Sequence, residues 1–234
     1  DVCSSDLFPN LIDPYPELMI YQTGQRLPAQ VLQEINPDVI VIGPGLGQSE
    51  SSLSWLMATL EFHAPIVIDA DGLNLLSQHP ELQEQIRIRS HRVTLTPHPG
   101  EAGRLLNLSS QVVQSDRILA IKQLIVQYQA IVVLKGHHTL VGMPGEDVLT
   151  CISGNPGMAC AGMGDVLSGA LGSLIAQGLR HHLSTWQATC LAVEVHARAG
   201  DFLVEKGIGP IGMTSSELAK EMRTIVNSSS KQSP

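Results

Sequence analysis

The chain has 234 residues, 43% of them hydrophobic and 15% charged, with a formal net charge of −8. That is long enough for one sizeable core. The negative balance, with no dense Lys/Arg run, excludes a sequence-independent grip on nucleic acid, so small-molecule partners are expected.

In chain order, the first segment is DVCSSDL, residues 1–7, which reads like the in-frame translation of a sequencing-library adapter and is set aside from the fold. On that reading the natural chain begins upstream, and a single domain is expected over residues 8–226. β-branched runs then recur at VIVIG (39–43), PIVIDA (65–70), RVTLTP (92–97) and AIVVLKG (130–136), separated by helix-period segments such as 49–61 and 111–128. This alternation predicts an α/β fold with a parallel sheet and crossover helices. HTLVGM and EDVLTCI, joined by a Pro-Gly turn, predict an antiparallel hairpin. From residue 165 the chain reads as almost all helical, and NSSSKQSP, residues 227–234, as a disordered polar tail. The longest apolar runs are strand-sized and no signal pattern opens the chain, so no membrane span is expected. Cys3, Cys151, Cys160 and Cys190 lie far apart without metal-ligand or disulfide spacing, which fits a reducing cytoplasm and no resident metal.

Ligands of open parallel sheets collect outside the carboxyl ends of the strands. Here four consecutive ends carry Gly or Pro beside polar groups: GPGLG (43–47), DADGLN (69–74), TPHPGE (96–101) and KGHHT (135–139). Any one of these is ordinary turn chemistry by itself; the convergence of all four points to a site. GNPGMACAGMGD (154–165) follows, with Gly157, Gly162 and Gly164 allowing close backbone approach and a helix beginning near Asp165. Free N–H groups and the positive dipole end make such a helix start an anion site suited to phosphate. It is no Walker loop, because Met163 stands where the lysine belongs, and GPGLG misplaces the third glycine of a dinucleotide fingerprint. Val166, Leu167, Ala170, Leu171, Leu174 and Ile175 form a core stripe, and Gly178 is expected to stop the helix. Asp165 reads either as a favourable first-turn acid or as a base that accepts a hydroxyl proton during attack on a nucleotide's terminal phosphoryl group.

GMGDVLSG, preceded by GNPGMA and joined to TPHPGE, VIDADGLN and VLKGHHT, closely resembles the nucleotide-dependent NAD(P)H-hydrate dehydratases of the ribokinase-like superfamily, in the right order over about residues 10–226. The resemblance implies a three-layer α/β sandwich with a mostly parallel central sheet and a helical carboxyl-terminal part. It implies that ADP or ATP, with Mg2+, phosphorylates the hydroxyl of hydrated NADH or NADPH (NADHX, NADPHX), after which loss of phosphate regenerates the nicotinamide; ADP is the choice for a bacterial-looking chain. Carried over by position, Asp165 is the base and touches the hydrate, Gly45, Gly47 and His98 are hydrate-binding, and Lys135, Gly136, His137, His138, Thr139, Gly162 and Gly164 flank the nucleotide. His137 and His138 vary the interior of their loop and are assigned no chemistry.

Blander alternatives stand beside these. His98 between two prolines reads equally as a turn hydrogen bond and Lys135 as a solvated strand-end charge. Asp69, Asp71 and Asn74 suit either the adenylate or helix capping, with Asp71 the favoured cap, and Glu101 suits either a magnesium-bound phosphate or a helix start. Cys160 and Ala161 replace the family's small polar residue and glycine, and the glycine-rich front that usually precedes residue 10 is missing. The family further implies a homo-oligomer and, in many bacteria, an epimerase domain in the same polypeptide. The rival readings are a hydroxyethylthiazole- or hydroxymethylpyrimidine-type kinase and an inactive nucleotide-binding fragment.

Overall fold

Each β-branched run forms a short strand: β1 Ile40–Ile42, β2 Ile66–Ile68, β3 Val93–Leu95 and β4 Ile131–Leu134. In the computed structural model, which describes residues 19–89 and 92–229, these four lie parallel and in sequence order, with Ile40 opposite Ile66 and Ile66 opposite Val93. β5 (Leu140–Gly142) and β6 (Leu149–Thr150) complete the sheet as the expected antiparallel hairpin. β2, β3 and β4 are buried throughout, which explains why they read as continuous apolar runs rather than alternating ones.

The helices are α1 Pro28–Ile35, α2 Glu50–Glu61, α3 Ala70–Gln78, α4 Leu82–Arg87, α5 Pro99–Leu106, α6 Ser110–Ser115, α7 Arg117–Tyr128, α8 Met163–Arg180, α9 Thr185–Glu205 and α10 Ser215–Ser229. The helix-period segment 111–128 is broken in two, because Asp116 leaves helical geometry and its side chain accepts the Leu119 N–H at 2.8 Å, capping α7. Gly178 does not stop α8, which continues to Arg180. Its lack of a side chain serves packing instead, since a Cβ there would meet the Cβ atoms of Leu183 and Ala188 at 3.2 and 3.3 Å. α10 extends to Ser229, so residues 227–229 of the expected tail are helical. The adapter-like segment, Cys3, the expected domain start at residue 8 and residues 230–234 lie outside the described residues.

Right-handed crossovers that always advance in one direction place their helices on one face of the sheet. Accordingly Ile66, Ile68, Leu95, Val132 and Leu134 pack with Leu56, Leu73, Leu105, Ile121 and Leu124 from α2, α3, α5 and α7. Val67, Ile131, Val133 and Val141 face the other way, onto Leu167, Leu171 and Ile175 of α8 and Ala188, Ala192 and Val193 of α9. α8 comes close enough to β1 that a Cβ on Gly172 would lie 2.4 Å from Val41 Cγ2. α10 packs outside α8 and α9 through Leu218 and Met222. The three layers leave the carboxyl ends of β1–β4 and the amino end of α8 along one rim.

Candidate active site

The first strand end is shaped by backbone contact. Gly43 has φ +129°, and a Cβ there would stand 1.7 Å from the Asp69 carbonyl oxygen, so no other residue fits. The loop it opens is tied down when the Gly47 N–H donates to Asp71 Oδ2 at 2.9 Å. Asp71 is therefore not the cap of α3. Asp69 is, its Oδ1 accepting the Ala70 N–H at 2.9 Å, because Asp71 already sits in the first turn with its carboxylate turned back to the glycine loop. Asn74 continues this chain, donating to Asp71 at 3.4 Å and accepting from Arg104 Nε at 2.9 Å.

A buried charge cluster lies beside it. Asp69 is 1% exposed; its Oδ1 is 2.6 Å from Lys135 Nζ, and its Oδ2 accepts the Ser168 hydroxyl of α8 at 2.7 Å. Lys135 is also 3.9 Å from Glu101, whose Oε2 accepts the His98 N–H at 2.7 Å. Burial raises the Glu101 carboxyl above its usual range, with the Lys135 charge opposing. His98 caps α5, its Nδ1 accepting the Gly100 N–H at 2.9 Å. The ring proton of the neutral form is thereby assigned to Nε2, 3.4 Å from Glu101 Oε1. Burial, then the positive charges of Lys135 and Arg104, lowers the His98 pKa and favours that neutral form. The turn roles considered for His98 and Glu101 are thus both made, and they draw the two residues towards Lys135.

A cavity of about 390 Å3 opens between the 135–139 loop, residues 153–159 and the first turn of α8. Lys135, Gly136, His137, His138, Thr139 and Gly164 all line it. Gly162, φ +79°, precedes the first turn of α8 and gives it no side-chain cap, and the Gly164 and Asp165 N–H groups donate to no backbone carbonyl among the described residues. The Lys135 ammonium rests against this free helix end, 3.4 Å from where a Cβ on Gly164 would stand. Asp165 is exposed, one residue beyond the cavity wall, and its carboxylate makes no hydrogen bond or ion pair among the described residues. Gly162 also lies outside the wall, and Gly45, Gly47 and His98 sit on the neighbouring strand ends rather than in this cavity. Cys160 and Ala161 are exposed and do not line it.

Several residues that hold this cavity escaped the sequence reading. Asp201 of α9 accepts the Gly154 N–H at 2.7 Å and Asn155 Nδ2 at 3.1 Å, and Asn155 in turn accepts the Gly157 N–H at 3.0 Å. Glu194 accepts the Ser153 hydroxyl at 3.2 Å. His196, also on α9, meets the Met163 carbonyl at 3.0 Å through Nε2, and burial pushes its pKa down to about 4, so the neutral ring donates there. The available signal was two acids, a histidine and an arginine in AVEVHARAGDF, inside an otherwise largely apolar helix. Among the described residues no cluster of three or more His, Cys, Asp or Glu could hold a metal ion, and no helix is long and apolar enough to cross a membrane.

A family model described as NAD(P)H-hydrate dehydratase matches residues 2–224. The chain is 42% identical over 219 residues to the bifunctional NAD(P)H-hydrate repair enzyme Nnr of Coxiella burnetii, a match covering 94% of this chain and 42% of that protein's length. It is 38% identical to the ADP-dependent (S)-NAD(P)H-hydrate dehydratase of Neisseria meningitidis, covering 93% of this chain and 71% of that one. Among solved structures, the ADP/ATP-dependent NAD(P)H-hydrate dehydratase of Bacillus subtilis, co-crystallized with ATP/Mg2+ and soaked with CoA, superposes with a TM-score of 0.76 at 24% identity, over 95% of this chain and 78% of that one. A ribokinase-like superfamily protein of Enterococcus faecalis superposes with a TM-score of 0.77 at 25% identity, over 96% and 75%.

Proposed function

Because the chain belongs to the NAD(P)H-hydrate dehydratase family, with the ribokinase-like fold, we propose that it dehydrates hydrated NADH and NADPH at the expense of ADP, a metabolite-repair reaction. The observation that carries this reading is the cavity at the amino end of α8, where the Lys135 charge and uncapped N–H groups converge while Asp165 stands exposed on the same turn. The free N–H groups and the helix dipole bind the nucleotide's phosphates, and Lys135 adds a positive charge at the same place. Asp165 takes the hydroxyl proton of the hydrate as its oxygen attacks the terminal phosphoryl group, releasing AMP from ADP. The phosphorylated oxygen then leaves as phosphate and loss of a neighbouring ring proton restores the double bond.

Gly45, Gly47 and His98 contact the hydrate on the adjoining strand ends, and Lys135 through Thr139 with Gly162 and Gly164 contact the nucleotide. Mg2+ is usually held by one or two carboxylates together with phosphates and waters. Glu101 fits that demand: it offers a hard oxygen, Oε1, whose polar partner among the described residues is His98 Nε2 at 3.4 Å. When bound, the ion supplies neutralisation of phosphate charge. The setting is a cytoplasm, as a homo-oligomer that works with an NAD(P)H-hydrate epimerase.

The test mixes protein with hydrated NADPH, Mg2+ and ADP or ATP and follows absorbance of the restored dihydronicotinamide. Asp165→Asn keeps nucleotide affinity and lowers turnover by about 10²–10⁴-fold, the usual range for a positioned base. Equal turnover in that variant removes Asp165 from the mechanism. Failure of the wild type to restore the absorbance, with a vitamin-precursor alcohol phosphorylated instead, turns the reading to the kinase.

A further inference from the structure

The 135–139 loop is held from behind by one side chain. Arg117, the first residue of α7, donates through Nη2 to the carbonyls of Leu134 at 3.0 Å and Lys135 at 3.5 Å, and through Nη1 to those of His137 and His138, the latter at 3.2 Å. In a trans peptide the C=O of one residue and the N–H of the next point in opposite directions. Drawing these carbonyls to one side therefore turns the N–H groups of Lys135, Gly136, His138 and Thr139 to the other. Lys135 N–H is taken by the Pro97 carbonyl at 2.8 Å; those of Gly136, His138 and Thr139 donate to nothing among the described residues. The guanidinium takes no part in the cavity wall, which the loop itself forms.

From this we propose that Arg117 is a positioning residue of the nucleotide site, presetting the 135–139 loop as a row of N–H donors for the nucleotide's phosphates; the inference rests on the dehydratase reading above. A planar fork with five donors can serve four carbonyls at once, whereas a lysine ammonium has three donors at a single point. The loop's glycine answers the same need. Gly136 has φ +141°, and a Cβ on it would stand 3.2 Å from Arg117 Nη2, so the close seat of the guanidinium is kept free. Asp116, which caps α7 immediately before Arg117, fixes where the arginine departs. Successive backbone N–H groups aimed together make an anion-binding concavity, and this one faces the same cavity as the free end of α8.

The experiment compares wild type, Arg117→Lys and Arg117→Ala. In both variants the KM for ADP rises about tenfold to a hundredfold while the KM for the hydrate stays near wild type, as expected when one partner's contacts lose their placement. Ethylguanidinium restores the ADP KM of Arg117→Ala and ethylammonium does not. Thermal unfolding is recorded alongside; variants that melt lower yet keep the wild-type ADP KM when folded overturn the proposal. Should either variant fail to fold, the wild type carries the test: the Gly136, His138 and Thr139 amides gain protection from hydrogen exchange on adding ADP, and no gain refutes it. Wild type that binds neither ADP nor ATP sinks the dehydratase reading and this inference with it, whereas wild-type affinity retained by Arg117→Lys sinks the inference alone.

Discussion

Replacing Lys135 by methionine tests the charge cluster at the centre of the site. The substitution keeps a stem of the same length and removes the ammonium at its end, leaving the Asp69 carboxylate with the Ala70 N–H and the Ser168 hydroxyl as its partners among the described residues. Breaking a buried ion pair by removing one partner costs about 3–5 kcal/mol, because the remaining charge stays desolvated. Asp69 is 1% exposed and the lysine side chain 18%, so the pair keeps one edge to water and the lower part of that range applies, about 3 kcal/mol. For a chain of this length, about 2–4 °C per kcal/mol gives a fall in Tm of roughly 6–12 °C. Melting curves at fixed pH and protein concentration read the shift. The double variant Lys135→Met/Asp69→Asn removes the orphaned charge and recovers stability to within about 1 kcal/mol of wild type, while ADP affinity stays low. A single variant that melts with wild type, or a double variant no more stable than the single, refutes the account of a buried pair.

His196 should make the fold acid-sensitive. Its native pKa of about 4 lies below the unfolded value of about 6.5, so the unfolded chain binds the proton first; the stabilisation is full above the unfolded pKa and is lost as pH falls towards the folded one. The loss is on the order of 3 kcal/mol, and His196→Gln, which keeps a donor for the Met163 carbonyl, flattens the fall in denaturant midpoint across that window. An unchanged slope in the variant dismisses His196 as its source. Gly157→Ala places a Cβ 2.4 Å from the Pro210 carbonyl oxygen and should cost about 1–3 kcal/mol in urea unfolding, with weaker ADP binding. Gly169→Ala in α8, where a Cβ meets nothing within 4 Å, should instead gain about 0.5–1 kcal/mol; a Gly157→Ala variant as stable as this control contradicts the packing of the 207–213 segment against the cavity loop.

Much of the fold was legible because its demands are local. The runs VIVIG, PIVIDA, RVTLTP and AIVVLKG each contain the strand observed, trimmed at both ends where the chain turns into its loop. Where the reading failed, a single side chain had changed the local outcome. Asp116 offers the backbone a capping bond and splits a helix whose apolar period runs on across it. Gly178 looks like a stop but is held inside α8 by close contact with Leu183 and Ala188, a tertiary fact without local signature.

The site divides along the same line. Glycine and proline at strand ends report backbone conformations, so GPGLG, TPHPGE and KGHHT could be recognised one at a time. Which charges meet is decided by which strands are neighbours, and here the sheet keeps sequence order, so Asp69, His98 with Glu101, and Lys135 follow three adjacent strands and fall together. Asp71 shows the limit of that inference, because the residue's type suits a cap equally well and only the position of the Gly47 N–H decides its partner. Arg117 and Asp201 lie further from reach. The first acts on carbonyls, which every residue possesses, and the second on two loop groups 46 and 47 residues away, so neither leaves a pairing that spacing can reveal. Both share one task, holding a loop by its back so that its other side is free for a ligand. Residues of that kind become visible only when hydrogen bonds are traced outward from the cavity to whatever has claimed the loop groups behind it, carbonyls for Arg117 and N–H donors for Asp201.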